Sequence, residues 1–124
     1  MRHIESQTQQ ECVKWFRLQY PKLALNLFAV PNGGARNARE AGIMKGEGVT
    51  AGVSDLLLLV ARRGYHGLCI EMKTKDGTQR PTQKTWQQAV TAEGYLYMIC
   101  RSFDTFKEAV DWYLKLQGND TQES

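Results

Sequence analysis

The chain has 124 residues, 42% apolar and 23% charged, with a net charge of +3. That length and balance suit a single ordinary domain with a core of its own and exclude a disordered or fibrous chain. No apolar run approaches the roughly 20 residues that span a bilayer, and no signal-peptide pattern opens the sequence, so a cytoplasmic protein is expected.

In chain order, residues 4–20 carry a helical pattern that Pro21 stops. Leu23 to Val30 is a short apolar run ending at Pro31-Asn32-Gly33-Gly34, which predicts a strand and a tight turn. Residues 35–45 have helical composition and lead into the glycine-studded stretch GEGVTAGVS. Asp55 to Ala61 and Gly67 to Lys73 are predicted strands, joined as a hairpin through Arg63-Gly64. Lys75-Asp76-Gly77 is a further turn. Pro81 suits a first helical position, with Thr82 to Ala92 as the helix and Gly94 as its stop. Tyr95 to Cys100 is a strand, and Phe103 to Leu116 a closing helix capped by Ser102 or Asp104. The order predicts an α/β domain over residues 1–117, a small mixed β-sheet flanked by helices, with a frayed tail over 118–124.

Cys12, Cys69 and Cys100 form no CxxC pair, and His3 and His66 have no partner at ligand spacing, so buried reduced thiols are expected rather than a zinc site. Residues 1–100 hold 13 Lys and Arg against 8 Asp and Glu, whereas the remainder holds 3 against 5. The basic excess therefore accompanies the motifs below and suits an anionic partner such as nucleic acid, although on its own it is a common feature.

Asp55 opens one predicted strand, and Glu71 and Lys73 end the next. Residues i and i+2 of a strand point to one face, so Glu71 and Lys73 project together. Hairpin pairing sets Asp55 opposite Glu71, and two carboxylates and an ammonium meet at one rim of the sheet. Such carboxylates repel unless a cation lies between them, and Mg²⁺ needs only one or two of them. The Met72 carbonyl lies between the two side chains as a further ligand, and a lysine there can orient water or stabilise charge on a phosphate. The competing reading is an exposed strand-end ion pair with Asp55 capping a turn. Against it stand the apolar residues before Glu71 and after Asp55, since carboxylates ending core strands are costly unless paired or metal-bound.

On a helical wheel with Glu11 at zero, the apolar face of residues 4–20 runs from about 20° to about 200°. Glu5 falls near its middle, about 120°, and Glu11 at its edge. An inward carboxylate suits a third acidic site residue; solvation near the chain start is the alternative. Gln83 shares a face with Trp86, Gln87 and Val90, either as a glutamine holding a metal-bound water or a phosphate or as an ordinary polar rim. Asn32, Gly33 and Gly34, followed by Arg36, Arg39 and Lys45, suit contact with a phosphate backbone, or simply a turn and a solvated basic helix face. No GK[ST] or GxGxxG follows, so a nucleotide cofactor is not expected. Trp15, Trp86 and Trp112 are expected to pack in the core rather than to stack on bases.

Together, ESQTQQ, VPNGGARNAREA, KGEGVTAGVSDLLLL, YHGLCIEMKTKDG and PTQKTW resemble the VRR nucleases, the virus-type replication-repair branch of the PD-(D/E)XK superfamily, over roughly residues 4 to 115. The likeness is nearest to the short stand-alone proteins of phages and bacteria. It implies a restriction-endonuclease-like core and Mg²⁺- or Mn²⁺-dependent hydrolysis of DNA in DNA repair. Asp55, Glu71 and Lys73 become the expected catalytic set, Glu5 (rather than Glu11) the first-helix acid, and Gln83 the glutamine that follows. It also implies a homodimer acting on branched DNA such as four-way junctions, in a bacterial cell and encoded by the bacterium or by a phage. An inactive module that keeps the fold and binds DNA is the rival; the intact acidic positions and lysine favour the enzyme. A small-molecule α/β enzyme built on the Gly33-Gly34 turn lacks any nucleotide fingerprint. One departure from the family pattern is Ser54, where GVSD replaces the usual GVPD.

Overall fold

The computed structural model describes residues 2–31 and 36–115, with the side chains of residues 2–5 outside that description. The chain folds as α1 (Arg2–Gln19), a 3-10 helix (Pro21–Asn26), β1 (Leu27–Ala29), α2 (Ala38–Gly46), β2 (Leu56–Leu58), β3 (Leu68–Met72), α3 (Pro81–Ala92), β4 (Leu96–Cys100) and α4 (Phe103–Leu114). The sheet order is β1-β2-β3-β4, antiparallel at the first two pairings and parallel between β3 and β4. This is the mixed α/β sheet that the element order predicts.

β3 is buried at every position, Leu68 to Met72, because both faces of the sheet are covered there. Leu68, Ile70 and Met72 join Leu56 and Leu58 in the main core with Cys12 and Phe16 of α1 and Phe106, Val110 and Tyr113 of α4. The intervening positions, Cys69 and Glu71, point to the opposite face, as strand alternation requires. α1 and α4 are tied at their edge by Tyr20, whose hydroxyl donates to Asp111 Oδ1 at 2.5 Å. Trp15 fills the same seam with edge-on contacts to Tyr20, Phe103 and Phe106. Among the described side chains the α1 wheel holds: Cys12 and Phe16 are buried, Thr8, Gln9, Val13, Trp15 and Tyr20 are half-buried, and Glu11 is exposed.

The expected strand from Leu23 to Val30 is shorter. Pro21 presets the φ of a helical first position, so the chain continues as a 3-10 helix through Asn26. Strand geometry begins at Leu27, where Leu58 supplies a ladder partner. The next two strands are also shorter than expected, and Asp55 lies one residue before β2. The Arg63-Gly64 turn is present, with φ of 56° and 85°, closed by Tyr65 N–H on Arg62 O at 2.8 Å. Arg63 holds its left-handed backbone while its guanidinium lies 3.8 Å from the Trp112 ring centroid and its Nε donates to Trp112 O at 2.9 Å. Trp112 is thus no core residue: it is 46% exposed and carries Arg63 on its face. Ser102 caps α4, accepting from Thr105 N at 3.1 Å. Among the described residues no helix is long and apolar enough to cross a membrane.

Candidate active site

Residues Leu56 and Ile70 are ladder partners, so Asp55 and Glu71 follow as the next opposed positions at the open end of the β2–β3 hairpin. Asp55 Oδ2 accepts the Met72 backbone N–H at 2.7 Å, which fixes its carboxylate against the end of β3. Glu71 is 1% exposed. Lys73, two residues on and on the same face, brings Nζ to 3.7 Å from Glu71 Oε2 with only 10% of its side chain exposed. The exposed ion pair weighed as an alternative is therefore excluded: both side chains are enclosed.

Both oxygens of Glu71 are engaged from the helical and strand neighbours. Gln83 Nε2 donates to Oε2 at 2.5 Å, and the Tyr97 hydroxyl donates to Oε1 at 2.9 Å. Gln83 is itself held, because its Oε1 accepts the Arg80 backbone N–H at 2.7 Å. Tyr97 receives a further contact from Gln79 Nε2 at 3.3 Å, and the same nitrogen donates to Gln87 Oε1 at 2.9 Å. Burial pushes the Glu71 carboxyl above the ordinary carboxylate range and the nearby Asp55 pushes it further; the Tyr97 hydroxyl, Lys73 and Arg80 pull it back.

The loop before Asp55 is moulded to the same place. Gly52 has φ of 91°, and a Cβ there would stand 2.2 Å from Thr82 O in the first turn of α3. Only glycine fits both that backbone and that approach. Ser54 is fully buried, and its hydroxyl donates to Leu56 O at 3.1 Å. Side-chain bonding within the segment thus stands where the family pattern has the ring of a proline.

The oxygens that could hold a cation here are the hard carboxylate oxygens of Asp55 and Glu71 and the Met72 carbonyl. Among the described residues no three of His, Cys, Asp and Glu come together as a metal cluster. Asp55 and the enclosed Glu71, the latter beside Lys73, would nevertheless suit Mg²⁺ or Mn²⁺, which keep several waters and need few protein ligands.

A family model for the VRR-NUC domain matches residues 2–104 of this chain. The chain belongs to the VRR-NUC family. A solved structure titled "VRR_NUC domain protein" is 30% identical, covers 90% of this chain and 88% of its own, and superposes with a TM-score of 0.80. No curated protein matches the chain significantly. The sheet and its helices are those of the restriction-endonuclease-like fold, and VRR-NUC membership implies nuclease-type processing of DNA.

Of the VRR-NUC residues expected from the sequence, the fold brings Asp55, Glu71, Met72, Lys73 and Gln83 together. Gln83 is no ordinary polar rim: it is 4% exposed and bonded to Glu71. α1 runs through position 5, but the Glu5 side chain lies outside the described residues, as do Asn32, Gly33 and Gly34. Arg36, Arg39 and Lys45 are exposed on or beside α2, which buries none of its residues. Arg36 is engaged with Glu40 across 3.6 Å. The three cysteines are buried and free, and burial raises Cys12 to about 12 and Cys69 and Cys100 to about 11. Sequence reasoning missed Tyr97 and Gln79. The one signal for Tyr97 was a hydroxyl-bearing ring inside an otherwise apolar strand, which needs a buried partner.

Proposed function

We propose that this VRR-NUC protein is a divalent-metal-dependent DNA endonuclease that hydrolyses phosphodiester bonds. The observation that carries the reading is the convergence of Asp55, Glu71 and Lys73 at one enclosed sheet rim, with Lys73 Nζ 3.7 Å from Glu71. Asp55, Glu71 and the Met72 carbonyl would hold Mg²⁺ or Mn²⁺, with Glu5 supporting it or its water shell. A bound ion of this kind supplies Lewis-acid stabilisation of a phosphoryl oxygen and a more acidic water.

The protein's own groups do the rest. Lys73 orients the attacking water and stabilises the charge gathering on the phosphorus oxygens. Gln83 and Tyr97 hold Glu71 in one rotamer so that its oxygens are presented without reorganisation. Arg39 and Lys45, exposed on α2, contact the phosphate backbone together with Arg36 and the Asn32-Gly33-Gly34 stretch.

A domain of this size has little surface for reading bases, which favours selection of DNA structure over sequence. A homodimer with two symmetric sites suits a branched substrate such as a four-way junction, and a role in DNA repair. The test is cleavage of labelled single-stranded, duplex, flap and four-way-junction DNA by the wild type and Lys73→Ala, with Mg²⁺, Mn²⁺ or EDTA. The expected result is metal-dependent cutting, strongest on the junction and lost in Lys73→Ala. Binding without cutting under every metal would replace the enzyme by a DNA-binding module.

A further inference from the structure

The segment directly after Lys73 is a tight turn, residues 74–77, and the side chain that holds it belongs to another part of the chain. Arg101 follows the last residue of β4, and its Nη1 lies 2.9 Å from Thr74 O, 3.4 Å from Lys75 O and 2.6 Å from Gly77 O. Two guanidinium protons are thus shared among three carbonyls of one turn, which also closes on itself through Gly77 N–H to Thr74 O at 3.2 Å. All three contacts fall on one terminal nitrogen of a planar, delocalised guanidinium. The strand ends are joined at the same place, because Lys73 N–H donates to Cys100 O, the residue before Arg101, at 3.0 Å.

The turn in turn runs alongside Lys73. A Cβ built on Gly77 would meet Lys73 Cδ at 3.5 Å, so the Gly77 backbone lies beside the aliphatic stem of the lysine. Glu71 holds the tip of Lys73, and the turn walls its stem. Lysine carries four flexible methylenes, and its Nζ serves a developing charge only if the stem is restrained. Lys75 and Asp76 are exposed, so the packing of the turn itself supplies little of that restraint.

We propose that Arg101 is a positioning residue for Lys73, acting through the three carbonyls of the 74–77 turn. The role deepens the nuclease reading above and rests on it for its catalytic meaning, but the clamp itself is a property of the fold. Arg101 is exposed, so its guanidinium is also within reach of a polyanion. The experiment separates those two roles.

Wild type, Arg101→Ala and Arg101→Lys are compared in the full chain, with melting curves to confirm that each folds. The first readout needs no activity: acetylation of Lys73 by an N-hydroxysuccinimide ester, followed by mass spectrometry, with exposed Lys84 as the internal reference. Lys73 is expected to react slowly in the wild type, severalfold faster relative to Lys84 in Arg101→Ala, and at an intermediate rate in Arg101→Lys. The second readout is steady-state cleavage. In Arg101→Ala, kcat is expected to fall about tenfold to a hundredfold, as for misplacement of a catalytic group, with KM unchanged and part of kcat restored by added methylguanidinium. Unchanged Lys73 reactivity overturns the clamp. A raised KM with unchanged kcat also overturns it and makes Arg101 a substrate contact. If the wild type cuts no DNA under any metal, the nuclease reading fails, and the acetylation rates alone decide whether Arg101 holds Lys73.

Discussion

Tyr97 reaches across the parallel β3–β4 pairing to set its hydroxyl 2.9 Å from Glu71 Oε1. The ring is 8% exposed and packs near Trp86, with centroids 6.1 Å apart, so the hydroxyl can be removed without removing the packing. Tyr97→Phe leaves a buried carboxylate short of one donor. The expected loss is about 1–3 kcal/mol of stability, read by urea denaturation, with DNA cleavage reduced as Glu71 gains rotamer freedom. Gln83→Ala is expected to cost more activity, since it also frees the Arg80 N–H at the start of α3.

The raised Glu71 carboxyl has a consequence for pH. A carboxyl whose folded value lies above its unfolded one keeps its proton longer in the folded protein, so the folded state binds more protons between the two values. Stability therefore declines as pH rises from the ordinary carboxylate range through the raised Glu71 range, and the full cost is present above it. In EDTA, melting temperature against pH is expected to show that decline in the wild type and a flatter profile in Glu71→Gln. A wild-type profile that rises through the same window would contradict the assignment.

Metal binding is expected to oppose that cost. An ion held by Asp55 and Glu71 in the folded state alone stabilises by about 2.7 kcal/mol at a hundred times its dissociation constant. Differential scanning calorimetry with Mn²⁺ should raise the wild-type transition. The shift should be lost in Asp55→Ala, whose own EDTA transition also reflects loss of the bond to Met72 N–H.

Gly52 tests the seating of the loop on α3. Gly52→Ala combines a φ of 91° with a Cβ at 2.2 Å from Thr82 O. The left-handed backbone alone costs about 1–2 kcal/mol, and relieving the clash displaces the turn that carries Gln83. Both the melting temperature and cleavage should fall. Gly48→Ala is the control: its φ is also positive at 102° but nothing lies within 4 Å of the added carbon, so stability should fall with little effect on cleavage.

What the sequence by itself determined is local. Helix stops at Pro21 and Gly94, the Ser102 cap, the Arg63-Gly64 turn and the i, i+2 spacing of Glu71 and Lys73 all follow from backbone chemistry within a few residues. The hairpin register that sets Asp55 against Glu71 follows from the same short range, and so do the buried faces of α1 and β3. The run from Leu23 misled because apolar residues serve a 3-10 helix as well as a strand, and only the ladder with β2 decides where extension begins. Trp112 misled because a helix position with apolar neighbours does not reveal that Arg63 covers it. Only the tertiary structure decided how Glu71 is held. Gln83 comes to it from 12 residues away on a docked helix and Tyr97 from 26 residues away on a parallel strand. Arg101 grips the turn after Lys73 from 24 to 27 residues away. A parallel crossover leaves no turn chemistry to announce its register, so these partners are chosen by packing across the sheet, which no local pattern encodes.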